Sequence, residues 1–218
     1  MTAGQRIARA KGGGRPSRAS GREADPLSFW PTPMECTVAL LRFLAVHEPE
    51  ALNEARHSGV WCPAAGDGAM GRVIEAMGLT VTAHDIAERG YGRGGIDFLD
   101  PASPAPRCRV LIENPPFGDM GRDAVGFIER IELLRRLHLA ALILPGGFWF
   151  AGGRKALFDR FRPSWILHMA WRPDFTGGGS GTMQLDWVVW TVWSRASRSA
   201  GEARVRMLEK PDLAGGLW

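Results

Sequence analysis

One short segment limits what this chain can fold into, because regular structure has to stop there: Asn114-Pro115-Pro116-Phe117. Proline lacks a backbone N–H and fixes φ, so two consecutive prolines can continue neither a helix nor a central strand. Shortly before the segment, Arg109-Val110-Leu111-Ile112 is largely apolar and predicts a buried strand. We therefore expect Asn114 at the carboxyl end of a strand, held by stiff backbone.

These four residues, called the tetrad below, suit the binding of a planar amino group. The Asn114 side-chain oxygen and a proline carbonyl can each accept one N–H, and the Phe117 ring can stack on the plane that carries the nitrogen. Neither proline nitrogen has a hydrogen, so carbonyl acceptors dominate locally. A strand-ending turn without a binding role is the alternative interpretation.

Strand and helix signals alternate along the rest of the chain. Buried strands are predicted at 60–62, 79–84, 139–144, 165–170 and 186–193. A short strand or turn is predicted at 96–99. Helices are predicted at about 32–47, 70–77, 121–137 and 153–161. This order implies a parallel sheet covered by helices on both faces.

The first helix has a marked start signal. Thr32 is predicted as its N-cap, Pro33 fits the first helical position, and Glu35 completes a capping box.

A glycine-bearing loop, Pro63-Ala64-Ala65-Gly66-Asp67-Gly68, follows the first strand. Glycines there let the backbone approach a ligand, and the next helix offers its N-terminus to a carboxylate or phosphate. Asp85 ends the second strand 19 residues after Gly66, near the spacing at which an acidic residue meets a ribose diol. Ligands bind beyond the carboxyl ends of parallel strands, so the loop, Asp85 and the tetrad predict one crevice. A simple tight turn is the alternative for the glycine pair.

Together, Thr32-Pro33, the 63–68 loop and the tetrad resemble the S-adenosylmethionine-dependent amino-methyltransferases, and their order resembles the gamma group of DNA adenine-N6 methyltransferases. The Arg172-Pro173-Asp174-Phe175 turn before a Trp-rich strand is similar to small phage or prophage members. The resemblance covers roughly residues 28–195. It implies a Rossmann-like class I methyltransferase domain over 27–218, with a mostly parallel seven-stranded sheet and helices on both faces.

The resemblance also implies roles for individual residues. The methionine end of the cofactor would contact Thr32 and the 63–68 loop, including Pro63, Ala64, Gly66 and Gly68. Asp85 would bind the ribose hydroxyls, and Asp97 and Phe98 would contact the adenine of the cofactor. Asn114 and the Pro115 carbonyl would bind the target amine, Pro116 would keep the tetrad rigid, and Phe117 would stack on an extruded base.

One position departs from the family pattern. The residue before Pro63 is normally Asp or Glu, which binds the methionine ammonium, and here it is Cys62. A buried thiol is a weak acceptor and stays neutral, so a lost charge-assisted hydrogen bond would weaken cofactor binding by about 1.5–3 kcal/mol. Compensation by Asp67 and loss of activity are the two alternatives.

Charge is concentrated at the N-terminus. Residues 1–25 hold six arginines and lysines against two acidic residues, so they account for the whole formal net charge of +4. A Gly/Arg/Ser-rich segment of this kind predicts a disordered basic arm over 1–26 that could contact phosphates, or a solvated tail.

Cysteine usage and hydropathy exclude several classes. The three cysteines (Cys36, Cys62 and Cys108) fit neither a disulfide framework nor a zinc site, and we expect no metal. No apolar run approaches the ~20 residues that span a bilayer. We expect no membrane partner and a cytoplasmic location.

The sequence thus favours methyl transfer from S-adenosylmethionine to an exocyclic amine of a nucleic-acid base, with adenine N6 in DNA reached by base flipping as the leading hypothesis. An RNA base or a protein glutamine amide is the first alternative, because either presents a planar conjugated nitrogen. A catalytically silent binding module weakened by Cys62 is the second. Site recognition is expected to be short or relaxed, aided by a homodimer or by the arm.

Overall fold

The computed structural model describes residues 29–179, 181–191 and 202–218. In this part of the chain, seven strands form one sheet: β1 Val60–Cys62, β2 Val81–Ala83, β3 Val110–Glu113, β4 Leu139–Pro145, β5 Trp165–Met169, β6 Leu185–Thr191 and β7 Arg204–Leu208. Five α-helices accompany them: α1 Met34–His47, α2 Pro49–Ser58, α3 Ala69–Ala76, α4 Arg122–Leu133 and α5 Arg154–Arg160. Short 3-10 turns lie at Asp119–Gly121 and Phe148–Phe150. The predicted basic arm at 1–26 lies outside the described residues.

The strand order is β2-β1-β3-β4-β6-β5-β7. Neighbouring strands are parallel, except that β6 runs antiparallel to both β4 and β5. The chain leaves β1 in one direction to form β2 and returns on the other side to form β3. Trp61 lies opposite Leu111, so the carboxyl ends of β1 and β3 are neighbours at this reversal point, where doubly wound sheets bind their ligands.

Each face of the sheet carries its own hydrophobic core. Val60, Val110 and Ile112 face one side, where they pack with α1, α2 and α3. Trp61 and Leu111 face the other side, where they pack with α4 and α5. Because successive strand residues point to opposite faces, a strand that is buried throughout is covered on both sides. The predicted α/β fold, with its mostly parallel seven-stranded sheet and helices on both faces, is confirmed.

Strand β7 was not predicted. The segment at 96–99, predicted as a short strand or turn, contains a turn and no strand, and the last strand of the sheet is β7, which pairs in parallel with β5. The side chains of residues 204–207 are exposed, and two of them are arginines. An exposed edge strand interrupted by two arginines lacks the continuous apolar run on which the strand predictions relied.

The predicted N-cap at Thr32 is wrong. The residue that precedes α1 is Pro33, and no side chain caps the helix. The Thr32 hydroxyl instead accepts a hydrogen bond of 3.1 Å from the side-chain nitrogen of Asn114. A partner distant in sequence has therefore replaced the local capping bond.

Other predicted elements agree with the structure except at their ends. The helix predicted at 121–137 ends at Leu133, and the strand predicted at 79–84 is limited to Val81–Ala83. The last part of the strand predicted at 186–193 lies outside the described residues. Helix α2 was not predicted. It begins at Pro49, directly after Glu48 ends α1. Within the described ranges, no helix has the length and apolar character needed to cross a bilayer.

Candidate active site

A cavity of about 410 Å³ opens at the carboxyl ends of β1, β2 and β3. Its walls come from four stretches of chain that the fold brings together: residues 29–32, the 63–68 loop with the start of α3, residues 85–89, and the tetrad with Glu113. A fifth wall comes from residues 173–176 and 181–185, before and within β6. The three strand ends that the sequence predicted to share a crevice therefore do so.

The Asn114 side chain is held in one orientation. Its nitrogen donates to the Thr32 hydroxyl at 3.1 Å and to the Trp30 carbonyl at 3.5 Å. A carbonyl oxygen can only accept, so the amide NH₂ has to face Trp30. Asn114 lines the cavity, and no described residue donates a hydrogen bond to its Oδ1 atom, so this acceptor remains available.

The rest of the tetrad surrounds this acceptor. Pro115 is buried, while Pro116 and Phe117 are half-buried, and all three line the cavity. The Phe117 side chain also contacts both hydrophobic cores, which fixes its position at the edge of the sheet. The chain then turns sharply through Gly118, with φ +65°, and Met120, with φ +53°.

A buried acidic residue precedes the tetrad. Glu113 is the last residue of β3, is only 2% exposed, and lines the cavity. One carboxyl oxygen accepts the Ala64 N–H at 2.7 Å and the other accepts the Asn114 N–H at 2.8 Å. Burial raises the pKa of Glu113 to about 8, and the two backbone hydrogen bonds offset only part of that effect. Glu113 was not among the residues predicted from the sequence, although an acid at the end of an apolar strand was a usable signal.

Asp85 connects the loop after β1 to the loop after β2. Its carboxylate accepts the Gly66 N–H and the Ala87 N–H, each at 2.8 Å, and lies 3.8 Å from the Arg89 guanidinium. The residue is 6% exposed and lines the cavity, as its predicted role with ribose hydroxyls requires. That role stays a prediction.

Aromatic rings pack on the glycines of the 63–68 loop. Gly66 has φ +58°, and a Cβ there would lie 2.1 Å from the Phe29 ring. Gly68 has φ +87°, and a Cβ there would lie 2.3 Å from the Tyr91 ring. Arg89 stacks on Phe29 with its guanidinium carbon 4.5 Å from the ring centre. Glycine is required here for backbone conformation and for these contacts. Phe29 and Tyr91 were not predicted from the sequence, because neither belongs to a motif.

Of the other predicted cofactor residues, Thr32 and Ala64 line the cavity, and Pro63, Gly66 and Gly68 are buried beside it. Asp97 and Phe98 are not among the described residues that line it. Phe98 packs 5.2 Å from Trp61 and 4.6 Å from Phe127, ring centre to ring centre. Pro63 and Phe98 instead line a separate pocket. The structure thus brings Thr32, Ala64, Asp85 and the tetrad together at the cavity, and the contact of Asp97 and Phe98 with adenine stays a prediction.

Cys62 is not among the described residues that line the cavity. Its side chain is 1% exposed and belongs to the core on the α1 side of the sheet. Burial and the neighbouring Glu113 raise the pKa of its thiol well above the usual value, so the group stays neutral. Cys62 is therefore a core residue in this structure.

No protein-family model and no curated protein sequence matches this chain. Among solved structures, it is similar to PH1948 from Pyrococcus horikoshii, described as a candidate RNA methyltransferase, with a TM-score of 0.56 and 13% identity over 86% of this chain and 97% of that one. It is also similar to the M protein of the type I restriction enzyme EcoKI, with a TM-score of 0.52 and 16% identity.

The match to the EcoKI protein covers 73% of this chain and 43% of that one, so the chain spans less than half of that relative's length. DrdV, solved in complex with DNA, matches with a TM-score of 0.50 and 12% identity over 85% of this chain and 28% of that one. At these identities the likeness concerns the fold. The chain has the Rossmann-like fold found in these proteins.

The raised pKa of Glu113 predicts a pH-dependent stability. Between the usual value of 4.5 and about 8, the unfolded chain carries an ionised Glu113 and the folded chain a protonated one. The free energy of unfolding should therefore fall as pH rises through this window, by up to about 1.4 kcal/mol per pH unit from this group. Glu113→Gln should remove that contribution. Urea unfolding of both proteins between pH 5 and 8 measures it, and parallel pH profiles would contradict the assignment.

Proposed function

We propose that this protein transfers a methyl group from S-adenosylmethionine to an exocyclic amino group of a nucleic-acid base, with adenine N6 in DNA as the preferred acceptor. The main support for this proposal is the fixed Asn114 amide. Its nitrogen is hydrogen-bonded to Thr32 and Trp30, and its oxygen is left as an acceptor. The fold shared with PH1948 and with the EcoKI M protein supports the same reaction class.

The cavity suits the proposed cofactor. Its volume of about 410 Å³ is typical of small-molecule sites, which measure roughly 300–1,000 Å³. Asp85 and Glu113 supply carboxyl oxygens to its walls, and S-adenosylmethionine offers hydroxyls and an ammonium as donors. The residues present therefore fit the group. When bound, it supplies a methyl group on a positively charged sulfur.

The tetrad would activate and orient the acceptor nitrogen. The lone pair of an exocyclic amine is delocalised into the ring, so the amine is a weak nucleophile. Asn114 Oδ1 and the Pro115 carbonyl accept its two N–H groups, which favours a pyramidal nitrogen whose lone pair is available. Phe117 stacks on the ring and fixes its plane. The tetrad would thus hold the nitrogen in line for the methyl group that the cofactor would supply, and the nitrogen would lose one proton to water as it takes up that group.

A base in a duplex has to leave the stack to reach this cavity, and exposed apolar side chains near the tetrad support such a step. Met120 is 88% exposed at the tip of the turn after the tetrad, and Phe150 is 90% exposed. Arg154 donates to the carbonyls of both Met120 and Phe148, so the two loops are linked. Apolar tips of this kind insert between bases and kink a duplex. We propose this role for Met120.

The central experiment measures transfer of a labelled methyl group to duplex DNA, single-stranded DNA, RNA and protein, followed by mass analysis of the modified group. We expect N6-methyladenine in DNA. Asn114→Ala should lower the rate by at least about one-hundredfold, because the activating acceptor is lost, and should leave cofactor affinity within about threefold. Full activity in this variant would refute the assignment of Asn114. Modification of RNA or glutamine alone would identify a different acceptor.

Thr32→Val tests whether Thr32 orients Asn114 or binds the cofactor. Valine keeps the shape of threonine but removes the hydroxyl that accepts the Asn114 N–H. Loss of one neutral hydrogen bond should lower kcat by about threefold to tenfold with unchanged cofactor affinity. Thr32→Ser, which keeps the hydroxyl, is the matched control. A weaker cofactor affinity with unchanged kcat would instead assign Thr32 to the cofactor.

Met120→Ala tests the proposed role in base flipping. The variant should methylate duplex DNA about tenfold more slowly, whereas the rate on single-stranded DNA should stay within about twofold, because only the duplex requires unstacking. Leu133→Ala removes another exposed apolar side chain, at the end of α4, and should change neither rate. Equal losses on both substrates would exclude a wedge role for Met120.

A further inference from the structure

The position of Glu113 is unusual for an acidic residue. Its carboxyl group is buried between the 63–68 loop and the tetrad, and both backbone N–H groups that reach it come from these two loops. A carboxylate offers about four acceptor positions, and these bonds take two of them. Because Glu113 also lines the cavity, the remaining positions can accept hydrogen bonds from a ligand.

No cationic side chain among the described residues pairs with Glu113. The groups that act on its charge are the Ala64 and Asn114 N–H groups, the Asp85 carboxylate and the Cys62 thiol. Asp85 repels a second negative charge, and the thiol is neutral. Burying a carboxylate without a cation is costly, so buried carboxylates are normally paired. A cationic group on a ligand in the cavity would complete such a pair.

Two other residues could have filled this role, and their surroundings argue against both. Cys62 lies in the core with a buried neutral thiol. Asp67 lines the cavity, but the residue is exposed and its carboxylate accepts the Ala69 N–H at 3.0 Å. Water screens an exposed carboxylate, so it attracts a ligand cation less strongly than a buried one.

We propose that Glu113 binds the ammonium group of the cofactor's methionine end, in place of an acid at position 62. The inference rests on the proposed function, because that function supplies a ligand with an α-amino group. The carboxylate would come from the end of β3 and not from the end of β1. The carboxyl ends of these two strands are adjacent, so an acid at the end of β3 can replace an acid at the end of β1.

Two ligands that differ at the methionine end provide the test. S-adenosylhomocysteine carries the ammonium, whereas 5′-methylthioadenosine lacks the whole amino-acid end. Calorimetry on the full chain at pH 8 should show that Glu113→Gln lowers the affinity for S-adenosylhomocysteine by about tenfold to one-hundredfold. The affinity for 5′-methylthioadenosine should stay within about threefold. If Glu113 has a purely structural role, Glu113→Gln should lower the affinity for both ligands equally, and that result would overturn the proposal.

Two further variants sharpen the comparison. Asp186→Asn removes a buried carboxylate that is hydrogen-bonded to His168 and is not among the residues lining the cavity, so neither affinity should change. Asp67→Asn tests the competing carboxylate. If Asp67→Asn, but not Glu113→Gln, selectively lowers the affinity for S-adenosylhomocysteine, the ammonium binds at Asp67 and our proposal is refuted.

A measurement on the unchanged protein covers the case in which Glu113→Gln does not fold. An ammonium bound at Glu113 requires the ionised carboxylate, so binding at pH 7 should release close to one proton. Calorimetry in two buffers of different ionisation enthalpy measures that release. S-adenosylhomocysteine should show it and 5′-methylthioadenosine should not. Equal proton release for both ligands would overturn the proposal, and failure of the unchanged protein to bind either ligand would refute the proposed function itself.

Discussion

The Glu113 carboxyl group fixes the two loops that form the base of the cavity relative to each other. One oxygen binds the backbone of Ala64 after β1 and the other binds the backbone of Asn114 after β3. Such a buried acid destabilises the fold when ionised, which is why its pKa is raised to about 8. An apolar residue of similar size would leave two N–H groups without partners at the end of the sheet. The desolvation cost of this buried acid therefore arises at the strand ends, where a ligand would bind.

The sequence was sufficient for the elements whose burial is visible in it. The apolar runs of β1, β3 and β4 and the double proline after β3 define the centre of the sheet, because these strands are covered on both faces. The same logic could not find β7, which is an exposed edge strand containing two arginines. It also misjudged Thr32, because a capping pattern is local and its hydroxyl is bonded to Asn114, 82 residues away.

The residues of the candidate site also divide into those that a local sequence signal reveals and those that depend on distant contacts. Asn114 and Asp85 could be found because each ends a strand, and parallel strands end at a common edge. Phe29, which packs on Gly66, could not be found, because it lies 37 residues earlier in the chain and belongs to no motif. The contact of Phe98 with adenine came from the family resemblance and stays a prediction. In the structure the Phe98 ring packs against Trp61.

Two consecutive residues at the end of β3 have different chemical tasks in this account. Glu113 is the last residue of β3, Asn114 follows it, and both line the cavity, so the two side chains could serve two different nitrogens of two different molecules. A buried carboxyl that ionises is best matched to a cation, because the opposite charge offsets its desolvation. A neutral amide is matched to a conjugated amine, which has two N–H groups and no charge. Exchanging the two side chains would place a negative charge beside the neutral acceptor amine and leave the ammonium without a counter-charge. Under the proposed function, the order Glu-Asn before the two prolines would distinguish the methyl donor from the methyl acceptor.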